Sequence, residues 1–462
     1  MPLKLIKPHQ PAGVKWLLAR EKSDSVKGGF LCDEMGLGKT AQLIGTMLEN
    51  KLKRTLVVMP KSILGQWQSE LDKFSDGRIS VRLFDGPQRT TNVGNIKDFE
   101  GVVLSPYSVL TERTILHETH WDRIILDEGH EIRNPKTKIH SSLRSMSADV
   151  RWVVTGTPVF NSMKDFVALC NFVGVSTGTV LRSYDEVRQK YVLRRTRPTK
   201  PDACIQQTLH LDMYPEEQAV YDRAFDAGRE MADHMRKHGT TAGSAMIMLE
   251  CLLRVRQAMT WPQLYLDGIA TKNLEDPERY TGRSMKHETL IRMIADHPDE
   301  KTLVFTQFIG ETDRIQELLV GKGIPVFRID GNVSDKTERE ARIQGFRDAP
   351  DGAVFLIQIR AGGVGLNLQD ASRVYITSPA WNPATELQAI GRAHRTGQTR
   401  QVHVTRLIYA GKEDGPSIEE SILALHEKKS HVVAEVLGEK PKMFAPSNMS
   451  VRTIAKIFSS VG

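Results

Sequence analysis

The stretch that decides the fold is DEMGLGKT, at residues 33–40. The apolar run GFLC precedes it at residues 29–32, and a helix-like run follows it at residues 41–48. A strand, a glycine-rich turn and a helix in this order are typical of a loop that binds phosphate groups. Lys39 is then expected to reach the β- and γ-phosphates of a nucleotide, and the hydroxyl of Thr40 to bind Mg²⁺.

The glycines of this loop let backbone N–H groups approach the phosphates, and the start of the helix adds a positive dipole end. Gly36, Leu37 and Gly38 supply that backbone. The strict pattern has glycine at the first position, where this chain has Asp33. The motif by itself therefore leaves an ordinary glycine-rich turn open as an alternative.

Length and composition fit a multidomain globular protein. The 462 residues are 40% hydrophobic and 26% charged, and that length suggests roughly two to four domains. The net charge of +7 permits nucleic acid as a partner, although a solvated basic surface is the commoner explanation of a mild excess. The four cysteines are far apart, which argues against a zinc ribbon or a disulfide framework and fits a reducing intracellular location.

Short apolar runs alternate with helical patterns in two series, and this alternation predicts parallel sheets covered on both faces. The first series lies at residues 55–59, 102–105, 122–126 and 151–154, and the second at 302–306, 325–331, 353–357, 373–376 and 402–404. Helical patterns at residues 215–238 and 244–259 separate them. In the second pattern we expect core packing by a methionine and leucine stripe, namely Met246, Leu249, Leu252, Leu253 and Val255.

The predicted fold class is therefore α/β, with two parallel-sheet lobes and a helical insertion between them; that both lobes are RecA-like is implied only by the family resemblance of the motifs. We expect an N-terminal ATP-binding lobe at residues 1–175 and a linker with the helical insertion at 176–284. A C-terminal lobe is expected at 285–440 and a tail at 441–462. The N-terminus lacks the apolar core of a signal peptide, and no apolar run is long enough to span a membrane.

Two acidic residues, Asp127 and Glu128, follow directly after the apolar run at residues 122–126. The carboxyl ends of parallel strands carry the ligand-binding loops, so this pair is expected beside the phosphate loop. One carboxylate there can hold Mg²⁺, and its neighbour can act as general base toward the attacking water. A surface acidic turn is the alternative for the pair alone. The pair lies between the loop at residues 33–40 and the TGTP turn at residues 155–158, and this order of three motifs is less expected by chance than any one of them.

The second series carries two further candidates. A glycine-rich loop, RAGGVGLN at residues 360–367, allows close backbone approach to a phosphate of nucleotide or nucleic acid, or is only a tight turn. Arg392 and Arg395 are three residues apart, which on a helix places both on one face. Two guanidinium groups on that face could act as arginine fingers that bind the γ-phosphate of a nucleotide held by the other lobe. The alternative is a basic face exposed to solvent. Near the N-terminus, the amide of Gln10 could read an adenine edge.

Taken together, these motifs resemble the SWI/SNF (sucrose-non-fermenting) family of superfamily 2 helicase-like ATPases, which are DNA translocases. The resemblance covers most of residues 3–440. The matching stretches are the phrase ending at Gln10, the loop at 33–40, MPKS at 59–62 with Trp67 and Glu70, DEGH at 127–130, TGTP at 155–158, VFTQF at 304–308, AGGVGLNL at 361–368, WNP at 381–383, and QAIGRAHR at 388–395 with Gly397 and Gln398. That family normally has aspartate in place of the first loop glycine, as here at Asp33.

The resemblance implies roles for these residues. Gln10 is implied to contact adenine, Lys39 the phosphates, Thr40 and Asp127 the Mg²⁺, and Glu128 the attacking water. Arg392 and Arg395 are the implied fingers, with Gln388 and Gly365 beside the nucleotide and ATP between the two lobes. Double-stranded DNA is the implied partner, contacted through its backbone. The implied DNA-contact residues are Lys61, Ser105, Thr155, Gly156, Gln307, Arg360, Gly362 and Trp381.

The chain departs from the family pattern at a few positions. The family usually has Asp-Pro-Trp-Trp-Asn-Pro where this chain has SPAWNP at residues 378–383, serine or threonine where it has Gln358, and Cys-x-His-Pro where it has MTWP at 259–262. These changes bear on DNA contact and on the helical insertion more than on ATP chemistry. No accessory chromatin-reading module is recognised in the sequence.

The expected function is movement along duplex DNA driven by ATP hydrolysis, with remodelling of protein–DNA complexes. DNA-bound proteins or nucleosomes are possible further partners, no membrane is expected, and a monomer is favoured. An intracellular location is expected, nuclear if the source is eukaryotic or the protein acts on host chromatin. A strand-separating helicase, an ATPase that strips proteins from DNA and a DNA-binding module with weak ATPase activity remain alternatives.

Overall fold

The computed structural model describes residues 7–96, 98–156, 163–196, 204–333, 335–359, 361, 368–395, 397–412, 415–437 and 458. The chain divides into two compact units. The first comprises Met1–Pro198 and Ser430–Ala445, and the second Thr199–Lys429 and Pro446–Gly462. Each unit contains its own parallel sheet.

The first unit is built on a seven-stranded sheet in which every pair of neighbours is parallel. Its strands are β1 (Gly28–Leu31), β2 (Arg54–Met59), β3 (Val81–Leu83), β4 (Gly101–Pro106), β5 (Trp121–Asp127), β6 (Ala148–Val154) and β7 (Val192–Leu193). The strand order is β3-β4-β2-β5-β6-β1-β7. Strand β6 therefore lies between β1, which leads into the glycine-rich loop, and β5, which ends at the acidic pair.

Helices connect these strands. They are α1 (His9–Glu21), α2 (Lys39–Glu49), α3 (Leu64–Ser75), α4 (Arg89–Val93), α5 (Lys138–Ser145), α6 (Met163–Val173), α7 (Thr177–Arg182) and α8 (Tyr184–Tyr191). Short 3₁₀ turns occur at Lys61–Ile63, Tyr107–Leu110, Ile115–His117 and Gly129–Ile132. Crossover helices of this kind are what parallel strands require, since a tight hairpin cannot join them.

Both faces of the first sheet are buried, as a parallel sheet demands. Side chains alternate across a strand, so Ile124 and Leu126 of β5 pack into one apolar cluster. Ile125 packs into a second cluster on the opposite face. The strands therefore read as continuous apolar runs in the sequence, and this is why they could be recognised there.

The second unit has a six-stranded sheet, again with all neighbours parallel. Its strands are β8 (Cys204–Leu211), β9 (Lys301–Thr306), β10 (Val326–Ile329), β11 (Val354–Gln358), β12 (Ala371–Ile376) and β13 (Val402–Tyr409), in the order β10-β11-β9-β12-β13-β8. Its helices are α9 (Pro215–His238), α10 (Ala242–Thr260), α11 (Pro262–Asn273), α12 (Met285–Ala295), α13 (Ile309–Val320), α14 (Lys336–Asp348), α15 (Pro383–Ala393) and α16, which begins at Ile418 and ends at Leu437.

The predicted fold class, two parallel-sheet α/β lobes with a helical insertion, is confirmed. Strand β8 and helix α11 were not predicted from the sequence. Strand β8 pairs with β13 at the edge of the second sheet. Because β8 precedes α9 to α11 in the chain, the insertion helices are flanked by strands of the second sheet. In the part of the chain that the structure describes, no helix is both long and apolar enough to cross a membrane.

The expectation of a continuous core stripe on α10 was partly wrong. Leu252 and Val255 are buried, but Met246 is 75% exposed, Leu249 49% and Leu253 42%. The helix has apolar residues on more than one face, and among the described residues the face carrying Leu252 and Val255 is the one that packs against α9 and its neighbours. A periodic pattern identifies an apolar face without saying that another element covers it.

Candidate nucleotide-binding and catalytic site

The glycine-rich loop leaves β1 at Leu31 and enters α2 at Lys39. Gly36 and Gly38 have φ angles of 81° and 72°, in the left-handed region that glycine adopts without steric cost. A Cβ atom on Gly38 would come within 2.2 Å of Nε2 of Gln10. The backbone conformation therefore favours glycine at position 38, and a larger side chain there would displace the amide of Gln10.

The segment at the start of α1 packs directly on this loop. Gln10 is buried, its Oε1 accepts from the backbone N–H of Lys7 at 3.1 Å, and its Nε2 lies 3.5 Å from the carbonyl oxygen of Leu37. Nε2 of His9 lies 2.8 Å from the same oxygen, and the ammonium of Lys7 donates to the carbonyl of Gly36. Carbonyl groups of the loop are thus held from one side, and the predicted adenine-contacting residue is brought to the phosphate loop.

Asp33, the residue that departs from the strict pattern, is fully buried. Its carboxylate accepts from Nε of Arg195 at 2.9 Å and from Nη2 of the same guanidinium. It also accepts from the backbone N–H of Arg195 at 3.1 Å and from Nε2 of Gln42 at 3.1 Å. A buried carboxylate with this many donors is fully compensated.

Lys39 stands at the first turn of α2, with Thr40 next to it in the helix. Its Nζ donates to the carbonyl oxygen of Asp33 at 3.0 Å. Burial lowers the pKa of Lys39, while the nearby charges of Glu128 and Asp127 act in the opposite direction. A Cβ atom on Gly156 would come 2.7 Å from Nζ of Lys39, so the glycine after β6 leaves the lysine its space.

Asp127 ends β5 and is held by three donors. Nε1 of Trp67 donates to its Oδ2 at 2.6 Å, and the backbone N–H of Glu128 donates to its Oδ1 at 3.0 Å. The hydroxyl of Tyr107 donates to its carbonyl oxygen at 2.9 Å. Burial, with repulsion from Glu128, raises the pKa of Asp127 to about 6. The carboxylate is thus oriented and placed where a cation would relieve its charge.

Glu128 adopts a left-handed backbone conformation, with a φ of 51°. A non-glycine residue held there costs on the order of 1 kcal/mol, and such residues are concentrated at functional sites. Its Oε2 accepts from the hydroxyl of Thr155 at 3.4 Å and lies 3.3 Å from Nδ1 of His130. This conformation gives the second carboxylate an orientation that continued strand geometry would not provide.

The first unit therefore brings together most of the predicted ATP-site residues. A glycine-rich loop, a lysine at a helix N-terminus and two adjacent carboxylates converge at the carboxyl ends of β1, β5 and β6. Such a set can bind a polyphosphate through the loop, hold a divalent cation through a carboxylate and activate water through the other.

The predicted arginine fingers lie in the second unit, and one expectation about them was wrong. Helix α15 ends at Ala393, so Arg395 lies beyond the helix and does not share a helical face with Arg392. Arg392 is 8% exposed, whereas Arg395 is partly exposed, as is Gln388 within the helix. Nε2 of Gln398 fixes the chain after the helix by donating to the carbonyls of Gln369, Ala371 and Ala393.

The predicted DNA contacts in the first unit have different environments. Lys61 is exposed, with its Nζ 3.2 Å from Oδ2 of Asp85. Ser105 is fully buried, and its hydroxyl donates to the carbonyl of Phe84 at 3.3 Å. Thr155 is 1% exposed and Gly156 lies against Lys39, so both are among the ATP-site candidates. DNA contact by these residues stays a prediction.

In the second unit, Nε2 of Gln307 donates to the carbonyl of Ser378 at 3.2 Å. Trp381 is partly exposed and carries the guanidinium of Arg256 at 4.6 Å from its ring centre. The same guanidinium donates through Nη2 to the carbonyl of Pro379 at 2.7 Å. The predicted DNA contacts Arg360 and Gly362 lie outside the described residues, as do Gly365, which was predicted beside the nucleotide, and the predicted tail except Phe458.

Sequence reasoning gave no site role to three residues that touch the candidates. Arg195 pairs with Asp33, Trp67 donates to Asp127, and Tyr107 donates to the backbone of the same aspartate. The signal for Arg195 was the basic run RRTR after the short apolar run at residues 191–193. For Trp67 and Tyr107 the only signal was an aromatic residue with a polar tip in a helix or turn that follows a strand.

Comparison with known proteins gives two family matches. Residues 9–197 match the model for an SNF2-related domain, and residues 285–397 match the model for a helicase conserved C-terminal domain. The two ranges correspond to the lobe that carries the phosphate loop and to much of the second lobe.

Individual relatives cover almost the whole chain. The probable global transactivator of Orgyia pseudotsugata multicapsid polyhedrosis virus is 28% identical over 98% of this chain and 94% of its own length. The putative ATP-dependent helicase/translocase YwqA of Bacillus subtilis is 31% identical over 94% of this chain and 49% of its own length. The human DNA excision repair protein ERCC-6-like is 27% identical over 94% of this chain and 41% of its own length. The chain thus spans less than half of the last two relatives.

Two parallel-sheet lobes with these matches place the chain in the class of helicase-like, DNA-dependent ATPases, which use ATP. Within that class, the chain contains an SNF2-related domain and a helicase conserved C-terminal domain, and its relatives include a putative ATP-dependent helicase/translocase and a chromatin-remodelling complex ATPase. The resemblance stated from the sequence is confirmed.

Proposed function

We propose that the protein is a translocase that moves along double-stranded DNA at the expense of ATP and remodels protein–DNA complexes. The observation that carries the proposal is the convergence of Lys39, Asp127 and Glu128 at the carboxyl ends of parallel strands in the first unit. The names of the relatives support it, since they include a helicase/translocase, a DNA repair protein and a chromatin-remodelling ATPase.

For ATP, the assigned roles follow the chemistry of each side chain. Lys39 neutralises charge on the β- and γ-phosphates, and the backbone of residues 36–38 donates N–H groups to them. Gln10 contacts the adenine, and Asp33 fixes the start of the loop. Glu128 accepts a proton from the attacking water. From the second unit, Arg392 and Arg395 stabilise the charge of the transferred phosphoryl group, with Gln388 and Gly365 beside the nucleotide.

Mg²⁺ is the metal that this chemistry implies. The donor set fits it, because Asp127 offers an oriented, partly buried carboxylate and Thr40 a hydroxyl beside the phosphate-binding lysine. Bound there, Mg²⁺ would supply charge neutralisation on the phosphate oxygens. Trp67 orients the carboxylate of Asp127, and the absence of a side chain at Gly156 leaves space for Nζ of Lys39.

For DNA, we propose contacts to the phosphate backbone rather than to bases. They come from Lys61, Ser105, Thr155, Gly156, Gln307, Arg360, Gly362 and Trp381. Such contacts give little sequence specificity and a steep dependence on salt. Proteins on DNA, including nucleosomes, are the proposed objects of remodelling. The proposed place of action is where such DNA lies within a cell, in the nucleus when the cell is eukaryotic.

We also propose the functional division predicted from the sequence, with the ATP-binding lobe at residues 1–175 and the helicase lobe at 285–440. Residues 176–284 then form the linker and helical insertion, and residues 441–462 a tail.

The test is ATP turnover by the purified protein with no nucleic acid, with single-stranded DNA, with double-stranded DNA and with RNA. Stimulation by duplex DNA above the other three supports a duplex translocase. Equal or stronger stimulation by single strands would replace it with a strand-separating helicase, which an unwinding assay on forked duplex would then demonstrate. ATP binding without stimulation by any nucleic acid would contradict the proposal and favour the DNA-binding module.

Translocation itself is measured by displacement of a triplex-forming strand from duplex DNA. ATP-dependent displacement without unwinding of a forked duplex is expected. The Glu128→Gln protein should bind duplex DNA and displace nothing, whereas Glu131→Gln, a substitution of the exposed neighbouring carboxylate, should behave as the wild type.

A further inference from the structure

We propose that Arg195 is a positioning residue for nucleotide binding, which acts by neutralising Asp33 and fastening the phosphate loop to the chain segment that leaves the first unit. The inference rests on the proposed function, because it assumes that ATP binds at this loop. No role is assigned to Arg195 by the motifs discussed above.

The guanidinium of Arg195 joins three parts of the first unit. It makes two hydrogen bonds to the carboxylate of Asp33 at the root of the loop. It donates through Nη2 to Oε1 of Gln42 in α2 at 2.5 Å. It donates through Nη1 to the carbonyl oxygen of His9, the first residue of α1, at 2.6 Å. One side chain therefore sets the loop against both helices that flank it.

The contacts leave no spare room. A Cβ atom on Gly13 of α1 would lie 1.8 Å from Oε1 of Gln42 and 2.7 Å from Nη2 of Arg195. Gln42 in turn donates to Oδ2 of Asp33 at 3.1 Å and lies 3.4 Å from the carbonyl of Leu37. Movement of the guanidinium would thus be transmitted to the loop itself.

The backbone adds a second connection. The N–H of Cys32 donates to the carbonyl of Leu193 at 2.8 Å, and the N–H of Glu34 donates to the carbonyl of Arg195 at 2.9 Å. The pairing of β7 with β1 therefore continues alongside the first residues of the loop. The chain passes from the first unit to the second between Pro198 and Thr199, three residues beyond Arg195.

Charge explains why the pair matters for nucleotide binding. Asp33 is fully buried, and its carbonyl oxygen accepts from Nζ of Lys39. Without the guanidinium, an uncompensated carboxylate would sit at the root of a loop that must accept polyphosphate. Removal of one partner of a buried ion pair leaves the other charge unpaired, which is the costly case. That charge would repel the phosphates and attract the ammonium of Lys39.

The test compares Arg195→Ala, Arg195→Lys, Asp33→Asn and the double variant Arg195→Ala/Asp33→Asn. The control is Arg182→Ala, which removes an exposed arginine from α7 of the same unit. For each protein, the Kd of a fluorescent ATP analogue with Mg²⁺, the KM and kcat for ATP, and the melting temperature without nucleotide are measured.

We expect Arg195→Ala to raise the Kd and KM for ATP by about tenfold or more, since removing one partner of a buried pair is strongly unfavourable. Arg195→Lys should be intermediate, because lysine keeps the charge but not the fork of donors. The double variant should recover most of the ATP affinity, since the asparagine that replaces Asp33 carries no charge to repel phosphate. Recovery of nucleotide affinity separates this role from a purely structural one, which would change only the melting temperature.

A Kd for Arg195→Ala within about twofold of wild type, a change of about 0.4 kcal/mol or less, would overturn the inference. So would a double variant that binds ATP no better than Arg195→Ala. If Arg195→Ala does not fold, Arg195→Lys takes its place, and a Kd for ATP within about twofold of wild type in that protein would overturn the inference. Wild-type protein that binds no ATP would overturn the proposed function as well, whereas normal ATP binding by wild type and Arg195→Ala alike would overturn only the role of Arg195.

Discussion

The indole Nε1 of Trp67 donates a hydrogen bond to Oδ2 of Asp127 at 2.6 Å. Trp67 belongs to α3 and is 2% exposed, so its ring cannot move without disturbing the helix against the sheet. Asp127 is the carboxylate proposed to hold Mg²⁺. The hydrogen bond therefore makes the orientation of the Asp127 carboxylate depend on the packing of α3, which follows β2 and not β5.

Trp67→Phe removes this donor and retains an aromatic ring. We expect the Mg²⁺ concentration for half-maximal ATP turnover to rise about tenfold, because partners that orient a metal ligand contribute on the order of tenfold in metal affinity. A titration of turnover with Mg²⁺ at fixed ATP measures it. Trp16→Phe, at the tryptophan of α1 that packs on Trp152, is the matched control. An unchanged Mg²⁺ requirement in Trp67→Phe would show that the hydrogen bond does not orient a metal ligand.

Glu128→Gln keeps the size and polarity of the proposed base and removes its charge. Turnover should fall about a hundredfold or more, since general base catalysis contributes on that order, while ATP still binds. Parallel measurement of steady-state turnover and of the Kd for ATP distinguishes the two effects. Glu131→Gln is the control, at an exposed carboxylate of the same turn. Wild-type hydrolysis by Glu128→Gln would rule out its assignment as base.

Arg395→Ala and Arg392→Ala should both abolish ATP turnover but differ in stability. Arg392 is 8% exposed within α15, whereas Arg395 is partly exposed beyond the end of that helix. An arginine finger contributes about a thousandfold or more to turnover. We therefore expect an unchanged melting temperature for Arg395→Ala and a lowered one for Arg392→Ala. Arg400→Ala, at a half-exposed arginine, is the control for both measurements. Normal turnover in Arg395→Ala would contradict its role as a finger.

The fold and the ATP site could be predicted because both depend on local patterns. Buried parallel strands are continuous apolar runs, and the loop at residues 33–40 and the pair at Asp127 and Glu128 follow such runs directly. Strand β8 was missed because it lies at an edge of the sheet, where half of its side chains are exposed and none is buried, so its sequence CIQQTLHL is not a continuous apolar run.

The contacts that complete the site could not be predicted, because they join residues far apart in the chain. Arg195 and Asp33 are separated by 162 positions, and Trp67 and Asp127 by 60. Neither the local periodicity nor the motif spacing predicts which basic residue forms an ion pair with a buried aspartate. The expectation that Arg395 lies in the helix was wrong for a different reason, since no glycine or proline directly follows Ala393 to mark the end of α15.

A buried ion pair at the other end of the first sheet predicts a large effect on stability. Nε and Nη2 of Arg123 in β5 each donate to the carboxylate of Glu21 at 2.6 Å, and both side chains are almost fully buried. Asn50 and Trp152 donate to the same carboxylate at 2.7 and 3.0 Å. The cluster therefore joins α1, which carries Gln10, to the sheet.

Arg123→Ala leaves the carboxylate of Glu21 without its cation. We expect a loss of roughly 3–5 kcal/mol in the free energy of unfolding, as for other broken buried pairs. Urea denaturation measures it, with Arg144→Ala on the exposed face of α5 as control. The double variant Arg123→Met/Glu21→Gln should lose less than Arg123→Ala. A loss below about 1 kcal/mol in Arg123→Ala, typical of exposed pairs, would mean that the pair is not buried in solution.

The second unit contains a buried carboxylate whose ionisation should make stability depend on pH. Oε2 of Glu311 accepts from the backbone N–H groups of Gln307 at 2.9 Å and Phe308 at 3.4 Å. Burial raises the pKa of Glu311 from 4.5 to about 7, although Thr377, these N–H groups and the charge of Lys286 act in the opposite direction. The carboxyl thus caps the turn that positions Gln307, one of the proposed DNA contacts.

Because the folded-state pKa is raised, the folded protein binds the proton of Glu311 more tightly than the unfolded chain does. Its contribution to stability is complete below the unfolded pKa and is lost as pH rises through the folded pKa of about 7. Glu311→Gln keeps an uncharged acceptor and should remove this loss, so the free energy of unfolding should fall less between about pH 5 and about pH 8 than in the wild type. Denaturation across that range measures it, and Glu317→Gln, at an exposed carboxylate of the same helix, should retain the wild-type slope. Equal slopes in wild type and Glu311→Gln would mean that Glu311 titrates as an exposed carboxylate, and the cap at Gln307 would then be an ordinary charged one at neutral pH.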